Sequence, residues 1–322
     1  MKFITSIVNW LDSDYFPEGQ EQVRNGPVKM EIGRCVPFLF LHLGCIPVFY
    51  VGCSSTAVTT CVLLYIVRMF AVTGFYHRYF SHRSFKTTRA FQFVMAAWGL
   101  MSVQRGPLWW AAHHRTHHRK SDHEGDIHSP KMSGFLWSHI GWITSSNNMP
   151  TNYSNVQDLA RYPELVFLNR FDWIVPSLLF IGLYAFGEML RSCHPELHTN
   201  GAQLIVWGFF ISSVILFHAT ASINSLSHIF GSQRYDTGDD SRNNFILALI
   251  TFGEGWHNNH HKYRGTVRQG FYWWEIDLTY YGLLILSLLG LISDLHPVPA
   301  EAYLSAQNNS ELPKQEQTVL KQ

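Results

Sequence analysis

Long apolar segments are the feature that most constrains how this 322-residue chain can fold. A helix needs about 20 mostly apolar residues to cross the hydrocarbon core of a bilayer. Four segments meet that requirement, and they come as two pairs with short connections: 35–53, 55–75, 173–190 and 202–221. We therefore expect an all-α integral membrane protein with four transmembrane helices arranged in two hairpins.

The remaining segments indicate how the chain sits in the bilayer. Two shorter apolar runs, 90–103 and 280–292, are predicted to lie on the membrane or against the hairpins. Lys and Arg are scarce in the two hairpin loops and concentrated in the arm 1–34 and the blocks 76–172 and 222–275. Because positively charged loops stay in the cytoplasm, these three parts are predicted to be cytoplasmic and to form a helical cap.

Composition excludes several classes of protein. Charged residues make up 15% of the chain, against roughly a quarter in an ordinary soluble domain. The net charge is +1 and there is no basic tract, so we expect no nucleic-acid partner. None of the five cysteines forms a C-x-x-C pair, which argues against a thiolate metal site. The main domain is predicted to span 35–295, followed by a polar, disordered tail at 296–322.

Histidines cluster in the polar blocks beside the predicted spans. The pattern H-x-x-H-H occurs twice, in "HRTHH" (114–118) and "HNNHH" (257–261). Residues at i, i+3 and i+4 share one face of a helix, so each motif is expected to aim three imidazoles in one direction. Three further histidines follow the predicted spans closely: His77, His82 and His228.

Nine imidazoles exceed the coordination number of one ion, so the pattern predicts a pair of ions. Imidazole suits Zn, Cu, Fe and Ni, whereas a structural zinc site would close with four ligands and favour Cys. Redox chemistry favours iron. Carboxylates near the motifs are candidates to hold the ligands, with Glu254 the first choice: Glu254, Asp122, Asp126, Asp236, Asp239 and Asp240. Five other histidines are expected to be ordinary core or surface residues: His42, His194, His198, His218 and His296.

The motifs resemble those of a known family. "HRYFSH", "HRTHH" and "HNNHH", with "GDIHSP", "SHIGW" and "NSLSH", are similar to the three histidine boxes and flanking signatures of membrane fatty acyl desaturases. The branch resembled is that of the stearoyl-CoA Δ9 desaturases and their bacterial relatives, over residues 30–295. The resemblance implies four transmembrane helices, a cytosolic catalytic cap and two iron ions. The ligands it implies are His77, His82, His114, His117, His118, His228, His257, His260 and His261.

The same resemblance implies roles for other residues. Asn224 matches an asparagine that holds a water at one metal. Gln104, Trp110 and Thr220 match the residues at which the family's acyl tunnel bends. From their position on the second predicted span, we add Tyr65 and Met69 as candidates for the tunnel floor.

Partners and location follow from the resemblance as well. It implies a multi-pass protein of a bacterial inner membrane, with the active site on the cytoplasmic side. It also implies a long-chain acyl thioester or acyl lipid as the substrate and O2 as the oxidant. The chain lacks the H-P-G-G haem motif of a fused cytochrome b5 domain. A separate electron donor is therefore expected, of the cytochrome b5, ferredoxin or rubredoxin type with its reductase.

Two departures from the resemblance leave the head group of the substrate open. Ala112 stands where the acyl-CoA enzymes of animals carry an arginine, and "ITSSNN" (143–148) stands where they carry an Arg-Lys pair. Both family positions contact CoA. Coenzyme A, acyl carrier protein and a membrane lipid all remain possible carriers of the acyl chain.

The predicted reaction inserts a cis double bond, near C9–C10, into a saturated acyl chain. A hydroxylase or epoxidase with the same metal centre is the alternative enzyme, because such enzymes share histidine-rich boxes. A membrane metal transporter is the alternative from another class. It is less favoured because the box histidines lie at the ends of the spans and on one side of the membrane.

Overall fold

The computed structural model describes residues 9, 11–30 and 32–304, and the chain is mostly helical, as predicted. Three helices are long and apolar enough to cross a membrane: Ser55–Ser81, Ile174–Cys193 and Gly201–His228. They correspond to the last three of the four predicted spans. The predicted tail beyond residue 304 lies outside the described residues.

The first predicted span, 35–53, is interrupted. Helix Ile32–Leu43 ends, a turn follows, and a short helix Val48–Val51 completes the segment. Pro47 directly precedes the short helix; proline has no N–H to donate and disfavours helical geometry in the residue before it. A fourth span therefore stays a prediction, because the apolar stretch Cys35–Val51 is shorter than the three long helices.

The helices of eight residues or more, together with the six-residue helix that carries the second H-x-x-H-H motif, are labelled in the order in which they occur. They are α1 Ile32–Leu43, α2 Ser55–Ser81, α3 Arg89–Leu100, α4 Pro107–Lys120, α5 Pro163–Arg170, α6 Ile174–Cys193, α7 Gly201–His228, α8 His257–Lys262 and α9 Leu278–Leu288. Short helices of three to six residues connect them: Gln20–Arg24, Val48–Val51, Pro130–Ser133, Phe135–His139, Gly141–Thr144, Ser146–Asn148, Tyr153–Asn155, Gln157–Ala160, Pro195–Leu197 and Phe245–Ile250. One antiparallel pair of two-residue strands joins Lys86–Thr87 to Ile292–Ser293.

Helix α2 is the centre of the molecule. Its first part, Ser55–Phe70, is α-helical, and its continuation Ala71–Ser81 is a π-helix whose eleven residues are all buried. The π-helical part packs against α3 and α4, and the α-helical part packs against α7. π-helical turns are uncommon and occur frequently at functional sites. The helix extends past the predicted end at residue 75 and carries His77 into the interior.

The start of α4 is fixed by a residue distant in sequence. The buried Asn169 side chain accepts hydrogen bonds from the backbone N–H groups of Leu108 (3.1 Å) and Trp109 (2.8 Å). It satisfies two of the unpaired N–H groups that every helix begins with. A Cβ atom at Gly106 would lie 2.3 Å from the Asn169 Oδ1 atom, so this approach requires glycine.

The chain stays ordered beyond the predicted domain boundary at residue 295. The backbone N–H of His296 donates to the Ser84 carbonyl (2.9 Å), and the Tyr235 hydroxyl donates to the Ala302 carbonyl (2.8 Å). Ala302 is fully buried. Residues 296–304, which the composition assigned to a disordered tail, therefore pack against the body of the protein, because their backbone groups find partners there.

Candidate metal centre

All nine predicted histidines come together, and they form two groups. The first group contains His77, His82, His114, His118 and His260, and the second contains His117, His228, His257 and His261. Within each group, one ring nitrogen from each residue lies within 4.8 Å of the others. Seven of the nine side chains are buried, and His82 and His114 are partly buried.

The two H-x-x-H-H motifs do not each aim three imidazoles in one direction, contrary to the prediction. On α4 the i and i+4 residues, His114 and His118, join the first group, and the i+3 residue His117 joins the second. On α8 the assignment is reversed, so His260 at i+3 joins the first group. At about 100° per residue, the i+3 and i+4 side chains diverge by about 100°, which is wide enough to face two different ions.

The ring nitrogens of the first group are spaced as the ligands of one ion would be. Successive Nε2 atoms lie 2.8 Å (His82 to His114), 2.9 Å (His114 to His118), 2.9 Å (His118 to His260) and 3.0 Å (His260 to His77) apart. Two nitrogens bound at about 2.1 Å and at right angles would be about 3.0 Å apart. Hydrogen bonds do not explain this series of short Nε2–Nε2 distances, because one ring nitrogen either donates once or accepts once. The Nε2 atoms of His114, His118 and His260 each have two such neighbours.

In the second group, the observation that points to a metal site is that two buried ring nitrogens have no hydrogen-bond partner among the described residues. The Nε2 atoms of His228 and His257 are 3.0 Å apart. The Nε2 atoms of His117 and His261 are buried and have no hydrogen-bond partner among the described residues. Buried polar atoms nearly always have a partner, so two such nitrogens facing the same group fit a metal ion.

Carboxylates hold four of these rings in the orientation that a ligand needs. The Nδ1–H of His77 donates to Glu254, and three further pairs are His117 with Asp126 (3.1 Å), His228 with Asp122 (2.7 Å) and His261 with Asp239 (2.6 Å). A ring that donates from Nδ1 keeps the Nε2 lone pair free to bind a metal.

Two of the candidate carboxylates have other partners. Asp240 forms an ion pair with Lys131 (3.1 Å), and Asp236 accepts a hydrogen bond from the backbone of Gly238 (3.2 Å). Neither contacts a histidine of the two groups through a contact that the structure records. Four of the six carboxylates named from the sequence therefore lie on ligand rings.

The electrostatics of the site favour ionised carboxylates at Asp122, Asp126 and Asp239 and a neutral imidazole at His118. Burial alone would raise the pKa of Asp122, but the hydrogen bond and charge of His228 lower it to about 2. Burial would also raise the pKa values of Asp126 and Asp239. His117 lowers the pKa of Asp126 and His261 lowers that of Asp239 by more, so both are below their usual range. Burial lowers the pKa of His118, which stays in the neutral form that binds a metal.

Three residues at the centre were not predicted from the sequence. Arg78 is fully buried and donates to Glu254 (3.1 Å) and Asp277 (2.9 Å), and Gln269 donates to Glu254 (3.1 Å). These contacts hold the carboxylate that orients His77. His128 lies with its ring centroid 4.3 Å from that of His117. Its buried Nδ1 atom is 3.9 Å from Asp126 Oδ1 and makes no hydrogen bond among the described residues. The signals available were the arginine directly after His77 and the histidine within "GDIHSP".

A small cavity of about 40 Å³ lies between the two groups. Histidines of both groups line it, together with four of the residues predicted to contact substrate or water. These lining residues include His77, His114, His117, His257, Met69, Trp110, Thr220 and Asn224.

A much larger cavity of about 1260 Å³ shares Trp110, His114, Thr220 and Asn224 with the small one. The structure also brings Gln104 here, where its side chain donates to the Thr220 hydroxyl (3.0 Å). The Trp110 ring stacks on His114 with centroids 5.0 Å apart. Most other lining side chains are apolar or aromatic, such as Phe38, Leu41, Trp109, Phe180, Phe209 and Phe217.

Tyr65 lines neither of these two cavities. Its hydroxyl donates to the carbonyl of Ile250, and its ring packs against Phe252 with centroids 6.3 Å apart. Position along α2 suggested a place beside Met69, but Met69 is four residues further along the helix and only it reaches the small cavity.

Comparison with known proteins gives one family. The sequence model of the fatty acid desaturase family matches residues 54–283. The acyl-CoA 5-desaturase AL21 of Anemone leveillei is 37% identical, over 91% of this chain and 90% of its own. The sn-1 stearoyl-lipid 9-desaturase of Anabaena variabilis is 36% identical, over 80% of this chain and 91% of its own.

A third relative differs in the lipid that its name specifies. The chloroplastic palmitoyl-monogalactosyldiacylglycerol delta-7 desaturase of Arabidopsis thaliana is 36% identical, over 76% of this chain and 63% of its own. The three names specify different acyl carriers and different double-bond positions at almost the same identity. The family resemblance predicted from the histidine boxes is confirmed. Because the family match covers well over half of the chain and includes both histidine groups, the chain belongs to the fatty acid desaturase family.

Proposed function

We propose that the chain is an O2-dependent acyl desaturase that inserts a cis double bond near C9–C10 of a saturated acyl chain. The reaction takes R–CH2–CH2–R′, O2, two electrons and two protons to R–CH=CH–R′ and two molecules of water. The family supports desaturation, and the resemblance of the histidine boxes to the Δ9 branch supports the position. The observation that carries the proposal is the large apolar cavity, which shares four lining residues with the small cavity between the histidine groups.

The nine histidines are proposed to hold two iron ions, five at the first group and four at the second, with Asn224 binding one of the ions through a water. The donor set fits, because the first group has the spacing of ligands and the second has unpaired buried nitrogens. Bound iron would supply the reaction with O2 that an unactivated C–H bond requires. The carboxylates of Glu254, Asp122 and Asp126 are proposed to orient the ligand rings.

The protein's own contribution is position. Trp110, stacked on His114, forms the wall between the acyl chain and the first histidine group. Gln104 and Thr220 both line the large cavity and are joined by a hydrogen bond, which is proposed to favour a bent chain, the shape of a cis product. Met69 lines the small cavity and is proposed to limit it, whereas Tyr65 lines neither of the two cavities. Correct placement of the reacting methylenes lowers the barrier more than any one contact does.

The membrane location of the protein and its electron donor are part of the same proposal. The protein is proposed to be a multi-pass protein of a bacterial inner membrane with its metal centre on the cytoplasmic side, supported by the distribution of Lys and Arg. A separate cytochrome b5-, ferredoxin- or rubredoxin-like donor with its reductase is proposed to supply the two electrons.

Expression in a host that lacks its own desaturase tests the proposal. Total fatty acids are analysed by mass spectrometry, and dimethyl disulfide adducts give the position of the double bond. We expect a new cis-monoene that is absent in the His117→Ala variant at equal protein level. Products carrying oxygen from labelled O2 would make the chain a hydroxylase. A His117→Ala variant with undiminished monoene would contradict the proposed metal ligands.

A further inference from the structure

Two helices that are distant in sequence line opposite sides of the large cavity. Helix α1 contributes one side of its lining and the beginning of α6 the other, while both helices pack against α7. Phe40 on α1 and Ile181 on α6 line the cavity and are also 56% and 61% exposed. A side chain that both lines a cavity and is exposed marks the place where the cavity reaches the surface. Because α6 is long and apolar enough to cross a membrane, this opening faces lipid.

Aromatic side chains indicate the depth of the opening. Tyr15 and Trp173 line the cavity near the start of α6 and are 40% and 39% exposed. The Trp173 indole N–H donates to the carbonyl of Leu11 (2.9 Å). Tyr and Trp are enriched where hydrocarbon meets the head groups of a bilayer, since each has an apolar ring and a polar tip. The opening therefore lies at the level where the ester groups of membrane lipids are found.

The described lining of the cavity, including the part near its proposed opening, has no unpaired cation to bind the phosphates of a carrier. Among the lining residues whose side chains the structure describes, Arg105 is the only Lys or Arg and Asp172 the only Asp or Glu. The two form an ion pair (3.0 Å), and the guanidinium also contacts the Met149 carbonyl (3.3 Å) and lies over the Trp109 ring (5.0 Å). The positive charge of Arg105 is thus already paired with the carboxylate of Asp172. Phosphates are recognised by Arg and Lys that are free to pair with them, and coenzyme A carries three phosphate groups.

We infer that the substrate is an acyl chain still esterified to a membrane glycerolipid, which enters from the bilayer between α1 and α6. The head group stays at the membrane surface while the acyl chain passes Trp110 to reach the small cavity. This inference rests on the proposed desaturase function and specifies its substrate class. It also gives a physical meaning to Ala112 and the segment 143–148, where the resemblance lacks its CoA-contacting residues.

Membranes of the expression host provide the test, because they contain whatever donor supports turnover there. Deuterated stearoyl-phosphatidylcholine is introduced into one sample and deuterated stearoyl-CoA into another, and intact lipids and thioesters are followed by mass spectrometry. We expect deuterated monoene on phosphatidylcholine from the first time point, and none on CoA. Monoene that appears on CoA first would overturn the inference and leave the desaturase function standing. No deuterated monoene in either sample would overturn both.

Two variants with one matched control test the route of entry. Ser177 lines the cavity on α6, so Ser177→Trp is expected to narrow the opening and slow desaturation of phosphatidylcholine. Leu178→Trp adds the same ring one residue along, at a lipid-facing position that does not line the cavity, and is expected to leave the rate unchanged. Ile181→Trp provides a second obstruction should Ser177→Trp fail to fold, judged by detergent-solubilised yield and iron content. Full activity in a folded Ser177→Trp or Ile181→Trp variant would refute lateral entry.

Discussion

Asp239→Asn isolates the carboxylates that orient the metal ligands. Asp239 Oδ2 accepts from the Nδ1–H of His261 (2.6 Å), while Oδ1 accepts from the Thr237 hydroxyl (2.7 Å) and the Ser241 N–H (3.1 Å). Asparagine can keep the two Oδ1 bonds, which leaves its NH2 group facing His261. That group donates and cannot accept, so it favours the imidazole tautomer with its proton on Nε2. A protonated Nε2 cannot bind a metal.

The expected loss is about 10–100-fold in metal affinity, the usual cost of removing such a partner, or about 1.4–2.7 kcal/mol. Asp236→Asn is the matched control: it removes the same charge three residues earlier, and the contact recorded for its carboxylate within the described part of the chain is to the backbone N–H of Gly238 (3.2 Å). Iron content is measured by mass spectrometry after equilibration of the purified protein against graded chelator. An Asp239→Asn variant that retains iron as tightly as Asp236→Asn would refute the argument from tautomers.

Three further predictions concern the helix start, the cavity and the metal. Asn169→Ala leaves the buried N–H groups of Leu108 and Trp109 without an acceptor, and should lower the free energy of unfolding by about 1–3 kcal/mol; an unchanged midpoint of thermal unfolding would contradict this. Gln104→Leu removes the hydrogen bond to Thr220 and should change the ratio of double-bond positions without loss of iron, measured on the dimethyl disulfide adducts. Removal of iron by a chelator should lower the midpoint of thermal unfolding, and added ferrous iron should restore it; identical midpoints would argue that the two groups do not bind metal.

The sequence predicts the membership of the site better than its arrangement. The spacing H-x-x-H-H brought six histidines into consideration, and all six lie in the two groups. Spacing on one helix fixes only the angles between side chains, however. Which ion His117 or His260 faces depends on how α4 and α8 are placed relative to each other, and that relation is set by tertiary packing.

Long-range contacts are what the sequence could not supply. The acceptor for the first N–H groups of α4 comes from Asn169, about 60 positions away. Arg78 directly follows His77 in the sequence, and nothing in that position predicts that the fold buries it between Glu254 and Asp277. The first apolar segment shows the converse error. The four segments were predicted from their apolar composition, and composition does not predict the turn that interrupts the first segment before Val48.

The division of each H-x-x-H-H motif between the two groups has a consequence for how the protein acquires its metal. Helices α4 and α8 each contribute to both groups, so an ion bound at one group fixes the rotation and axial position of both helices. A second ion would then meet ligands that are already ordered, and the entropy lost in ordering them would not be lost again. If the two groups bind metal as proposed, we expect positive cooperativity between them, and the coupling would be reciprocal whichever ion arrives first. At intermediate iron concentrations the population should consist mainly of empty and doubly loaded molecules, with few that carry a single ion.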